Sequence, residues 1–109
     1  MLPKNQRIPR KMFPLFKGSK TFKNGLFLLK FVSTKDPNNR FCFSVSKKVA
    51  KNAVVRNRLR RAGYRLLSKY IPLIKSNTLA VFSFLTIPKD EESLISNLDL
   101  ILKDSKLLK

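Results

Sequence analysis

The sequence has no histidine, no tryptophan, one cysteine and three glycines, and each shortage removes a class of function. With Cys42 alone there can be no internal disulfide framework, and without histidine there is no Cys/His set for a zinc site. Cys42 falls in a strand-like run, where a small buried hydrophobe is favoured over a reactive thiol. Acids are scarce as well: six Asp and Glu stand against 24 Lys and Arg, and Asp36 is the single acid before Asp90. A nuclease acting alone needs a general acid and base, or clustered carboxylates holding metal ions. The chain offers neither, so it reads as catalytically empty, with no catalytic residue and no metal site of its own. Long apolar runs are also missing. The segments around Phe27 and Phe82 fall far short of the roughly 20 residues that span a bilayer. Pro and basic residues break up the N-terminus where a secretory signal would need an unbroken apolar stretch. A soluble, cytoplasmic protein without a membrane partner or a small-molecule substrate is expected.

What the chain has instead is positive charge, a formal net +18 on 109 residues. Self-repulsion of that size loosens a compact fold unless a polyanion relieves it. Nucleic acid is the first candidate, because clustered cations release condensed counterions when they meet phosphates. An apolar share of 43% supports one modest core and hence a single domain over residues 1–109, with 1–12 as an extended basic N-terminus.

Periodicity gives a coarse order of elements. A short helix is expected near Phe13-Pro14, since proline is tolerated in a first helical turn. Leu26 to Ser33 and Arg40 to Ser46 read as strands, and Asp36-Pro37-Asn38-Asn39 supplies turn chemistry between them, which predicts a hairpin. In the second strand, alternation puts Phe41, Phe43 and Val45 on one face and Cys42, Ser44 and Ser46 on the other. Asn52 is a candidate cap for a helix running to about Tyr70 and stopped by Pro72, with Val55, Leu59, Ala62, Leu66 and Tyr70 as its apolar stripe. Arg56 and Arg60 flank that stripe on one side and Arg58, Arg61 and Arg65 on the other, while Asn57 and Tyr64 are placed away from it. Thr78 to Ile87 reads as a buried strand. A closing helix follows, with Asp90, Glu91 and Glu92 at its start and Leu94, Leu98, Ile101 and Leu102 on its core face. The class is α+β, an α/β sandwich in the order α-β-β-β-α-β-α.

The informative segment is Phe43-Ser44-Val45-Ser46-Lys47-Lys48-Val49 followed by Lys51-Asn52-Ala53-Val54-Val55-Arg56-Asn57-Arg58-Leu59-Arg60-Arg61. From Lys47 to Arg65 it carries eight basic residues and no acid. Charge runs on helices are usually solvated faces. Here no Asp or Glu compensates, like charges repel along neighbouring turns, and the arrangement makes physical sense against phosphates. Guanidinium groups present planar, bidentate donors to phosphate oxygens, and Asn57 between two of them can hydrogen-bond a base edge or a 2′-hydroxyl. Phe13 and Phe16, with Arg10, Lys11 and Lys17, could stack unpaired bases, or could equally be core. Composition alone leaves a ribosomal-type RNA-binding protein or an RNA chaperone open beside other RNA partners.

This strand-turn-helix signature resembles the protein component of bacterial ribonuclease P. The likeness runs from Leu2-Pro3-Lys4 and Arg7-Ile8, through Phe13, the Gly18 region and the two strands, to Lys106-Leu107-Leu108. The resemblance implies a four-stranded mixed sheet with a left-handed βαβ crossover, against the usual right-handed rule. It implies a one-to-one ribonucleoprotein with ribonuclease P RNA, which carries the chemistry of removing the 5′ leader from precursor tRNA. No cofactor is expected on the protein, and Mg2+ is expected for the RNA-catalysed reaction. By resemblance, Lys47, Lys48, Lys51, Arg56, Asn57, Arg58, Arg60, Arg61 and Arg65 meet the RNA subunit, and Phe13, Phe16, Lys30 and Ser44 lie at or near the leader-binding cleft. Four features depart from the family pattern, the first being that Phe13 and Phe16 are three apart where many members place two aromatics four apart. Lys30 stands where an aromatic is often found, Gly63-Tyr64 interrupts the basic helix, and Phe84 stands where an arginine is common.

Overall fold

Asn24 reverses the chain by supplying the hydrogen bonds that the backbone would otherwise lack. Its Oδ1 accepts from the N–H groups of Leu26 (2.9 Å) and Phe27 (2.8 Å), and its own N–H donates to the Phe27 carbonyl (2.9 Å). This turn joins Lys20–Lys23 (β1) to Phe27–Ser33 (β2) as an antiparallel pair. A computed structural model describes Arg7, Ile8 and residues 16–109. The helix expected near Phe13-Pro14 lies outside the described residues.

The remaining elements are Arg40–Ser44 (β3), Ala53–Leu67 (α1), a 3-10 turn at Ile71–Leu73, Thr78–Phe84 (β4) and Glu91–Asp104 (α2). The sheet order is β1-β2-β4-β3. The hairpin expected between the two strands flanking Asp36-Pro37-Asn38-Asn39 is therefore corrected: β2 and β3 do not pair. Strand β4 stands between them, antiparallel to β2 and parallel to β3. The physical reason lies in β4 itself, which buries Ala80, Phe82 and Phe84 on one face and Leu79 on the other. A strand buried on both faces belongs at the centre of a sheet. The turn at 36–39 still reverses the chain. Asp36 accepts from the Asn38 N–H (2.9 Å) and pairs with Arg40 (2.6 Å), and that arginine holds its carboxyl below the ordinary aspartate range.

One sheet face is the core face. Phe27, Leu29, Phe41, Phe43 and Phe82 are each at most 1% exposed, and Phe43 stacks on Phe82 with ring centroids 4.9 Å apart. Both helices pack there, and the expected core face of α2, Leu94, Leu98, Ile101 and Leu102, is buried throughout. Asp90 caps α2 by accepting from the Ser93 N–H (2.7 Å). At its other end the Lys106 N–H donates to the Lys103 carbonyl (3.1 Å) and the Leu107 N–H to the Leu102 carbonyl (3.3 Å), with Lys106 at φ 61°. This helix-ending motif usually places glycine at the left-handed position. A side chain there costs roughly 1–2 kcal/mol.

Helix α1 begins as expected, with Asn52 Oδ1 accepting from the Val54 N–H (2.8 Å). It ends at Leu67 rather than near Tyr70, because residues 68–70 tighten into turns ahead of Pro72. Its buried positions are Leu59, Gly63, Leu66 and Leu67, so the stripe includes two residues the spacing did not select. Val55, Ala62 and Tyr70 are half-buried. Gly63 is present because a Cβ there would lie 2.7 Å from the Phe43 ring. Its absence lets helix and strand approach closely.

Candidate nucleic-acid interface

The turn formed when the Val49 and Ala50 N–H groups both donate to the Ser46 carbonyl (3.1 Å each) leads from β3 into α1. It leaves Lys47 and Lys48 exposed just before the helix, and Lys51 is exposed beside the cap. The first turn of α1 contains no acid, so the positive end of the helix is left uncompensated next to three lysines.

Along α1 the basic residues divide into roles. Arg56 is half-buried, and its Nη1 donates to the carbonyls of Ala50 and Lys51 (2.8 Å each), tying the preceding loop to the helix. Arg60 donates to Asn57 Oδ1, which leaves the Asn57 amide N–H groups as the donors available to a ligand. Arg58 and Arg61 are exposed, with no acid partner among the described residues. Arg65 instead pairs with Glu91 at the start of α2.

Two grooves follow α1. One, of about 570 Å³, runs between the helix and β3 and is lined by Cys42, Phe43, Asn57, Arg60, Arg61 and Tyr64, without a carboxylate. The other, of about 500 Å³, lies toward α2, where Arg58, Arg61 and Arg65 share the walls with Asp90 and Glu91. Tyr64 does not point away as its helical position suggested. It is half-buried, its ring meets Phe43 edge-on at 5.2 Å, and its hydroxyl oxygen accepts from the Phe43 N–H (3.1 Å). Burial raises both its pKa and that of the Cys42 thiol, so Cys42 is held as a thiol rather than a nucleophilic thiolate. The signal for Tyr64 was present in the spacing, since Asn57, Arg60, Arg61 and Tyr64 recur at helical intervals along one flank.

The expected leader-binding residues are only partly brought together. Phe13 lies outside the described residues, and Phe16 is half-buried in a turn closed by the Ser19 N–H donating to its carbonyl (2.9 Å). Lys30 and Ser44 are both exposed on the sheet face opposite the core. Lys30 shares a row with Val81 and Cys42, and Ser44 a row with Ser83 and Leu28. Phe84 is core, packed on Phe27 at 4.9 Å. Among the described residues no three of His, Cys, Asp and Glu gather closely enough to hold a metal ion, and no helix is long and apolar enough to cross a membrane.

A four-stranded mixed sheet packed by two helices is also the fold of solved RNase P proteins. The RNase P protein of Staphylococcus aureus superposes with a TM-score of 0.83 at 22% identity, covering 95% of this chain and 98% of that one. A mutant of the S. aureus protein with defective mRNA degradation activity gives 0.77 at 24% identity, over 96% of this chain and 92% of that one. The Thermotoga maritima RNase P protein gives 0.73 at 20% identity, over 89% and 96%. Curated protein sequences give no match. The family model described as Ribonuclease P matches residues 2–103, and the chain belongs to that family. Membership makes it a protein of the tRNA-processing ribonuclease and implies an RNA partner.

Proposed function

We propose that this protein is the non-catalytic subunit of ribonuclease P, binding its catalytic RNA through α1 and the 5′ leader of precursor tRNA through the open sheet face. The observation that carries the first half is the groove where Asn57, Arg60 and Arg61 converge without a carboxylate. Phosphates would meet Arg58, Arg60 and Arg61 directly, with Lys47, Lys48 and Lys51 at the helix start. Arg56 acts mainly by fixing the loop that presents those lysines, and Arg65 would have to exchange Glu91 for a phosphate. For the second half, the support is the exposure of Lys30 and Ser44 together on the sheet face opposite the core. The Mg2+ required for hydrolysis would be held by RNA, and the protein would contribute charge neutralisation and substrate positioning in the cytoplasm.

The test is reconstitution. Adding the protein to the cognate ribonuclease P RNA should restore precursor-tRNA cleavage at a low Mg2+ concentration where the RNA alone is slow. Arg58→Ala with Arg61→Ala should weaken RNA binding and flatten its salt dependence by up to about 0.9 of a log unit for each phosphate left without its arginine. An unchanged salt slope refutes the assignment of α1, and cleavage by RNA-free protein refutes the non-catalytic role.

A further inference from the structure

The edge of the sheet farthest from α1 carries another cationic hollow. Helix α1 packs on β3, whereas β1 is the opposite edge strand, roughly 14 Å away across three strand spacings. There a groove of about 570 Å³ opens on the core side of β1 and β2, where they meet the turn that ends α2. Phe22 and Phe31 lie along it, half-buried and stacked on each other with centroids 5.8 Å apart and planes 17° from parallel. Lys20, Lys75 and Lys106 surround them, all exposed, and Asp104 is the single acid in the lining. None of the three lysines forms an ion pair among the described residues.

We propose that this groove is a second RNA site, distinct from α1, that takes an unpaired stretch of RNA. Cations beside an aromatic surface are the recognition chemistry of single strands: the rings offer a face to any base, and the lysines follow the phosphates. A duplex keeps its bases stacked inside and offers nothing to Phe22 and Phe31. Lys106 adds a separate argument. It occupies the left-handed position after α2 at φ 61°, where glycine would relieve the backbone. A lysine rather than glycine at that position, beside a cavity, points to a use for its side chain there. The proposal reaches beyond the reading of α1 and does not depend on it.

The experiment uses the full chain with Arg58→Gln and Arg61→Gln, so that binding at α1 is weakened. A fluorescein-labelled six-nucleotide oligoadenylate is the probe, titrated over a salt series. Adding Lys20→Gln, Lys75→Gln and Lys106→Gly should lower the slope of log affinity against log salt by about 0.7 for each phosphate left without its lysine. NMR signals of the Phe22 and Phe31 rings should shift with the oligoadenylate and stay in place with an RNA duplex of equal length. Lys106→Gly alone should raise Tm while weakening oligonucleotide binding, an opposition that general unfolding cannot produce. Lys75→Gln alone, at an exposed loop position, guards against loss of fold in the triple variant. No oligoadenylate binding, an unchanged slope, unmoved ring signals, or equal shifts with duplex would each overturn the proposal.

Discussion

Helix α1 covers the β3 side of the core with Leu59, Gly63, Leu66 and Leu67, and α2 buries Leu94, Leu98, Ile101 and Leu102 against β1 and β2. The two are 15 and 14 residues long, but their charges are arranged in opposite ways. Helix α2 starts with Asp90, Glu91 and Glu92 and carries Lys103 in its last turn, the distribution that a helix dipole favours. Helix α1 has no acid in its first turn and five arginines along its length. Local stability accounts for the acids at the start of α2 and for Lys103 near its end. In α1 the same rules are set aside over one whole surface, and that departure is what supports the proposed role of α1 in binding RNA.

The sharpest way to break this comparison is to cut into each helix's packing. Leu98→Ala, in the fully buried face of α2, should cost about 2–5 kcal/mol in urea unfolding. A loss under about 1 kcal/mol would show that α2 is not the main clamp on the sheet. Gly63→Ala should cost less, about 1–3 kcal/mol, because Phe43 is stacked on Phe82 and cannot yield to the new methyl group. Helix propensity alone predicts the reverse, a gain of up to about 1 kcal/mol, so the sign decides whether close approach or intrinsic preference governs α1. The smallest effect concerns pH. Lys103, followed by Tyr70, holds the Asp99 carboxyl below its usual range. A depressed folded-state pKa contributes stability that is full above the unfolded value and is lost as pH falls through the folded one. Acid melts should therefore show a loss below about pH 4 that Asp99→Asn reduces. Hydrogen exchange should place that loss in α2 and at Tyr70 before the middle of α1, and simultaneous loss in both would contradict the contrast.

Much of this was legible in the sequence where a single physical rule dominates. The core face of α2 follows from its 3.6-residue period, the start of α1 from the capping chemistry of Asn52, and the two faces of β3 from strict alternation. Legibility failed where a tertiary contact decides. The turn at 36–39 is real, but a turn fixes a change of direction and not a partner, and β4 takes the central place because it is apolar on both faces. The actual hairpin carried an Asn24-Gly25 signal, muted because Lys20 and Lys23 disguise β1 as a polar stretch. Gly63 and Tyr64 interrupt the basic run in sequence. In space one admits the Phe43 ring and the other holds the backbone N–H of Phe43. Of the candidate interface, the basic residues of α1 and Asn57 came from the sequence, while the part of the groove formed by Cys42 and Tyr64 required the fold.

The central position of β4 also sets a timetable. Among the described residues, until 78–84 have been synthesised, β3 has only the bridge to Arg7 beside it, and β2 has only β1. A lone two-stranded hairpin is marginal in water. The arginine-rich segment, by contrast, is complete by residue 65, before the sheet can close. A growing chain thus carries its full polycationic stretch ahead of any assembled core, and its folding must be completed late, by one strand threading between two that were made earlier.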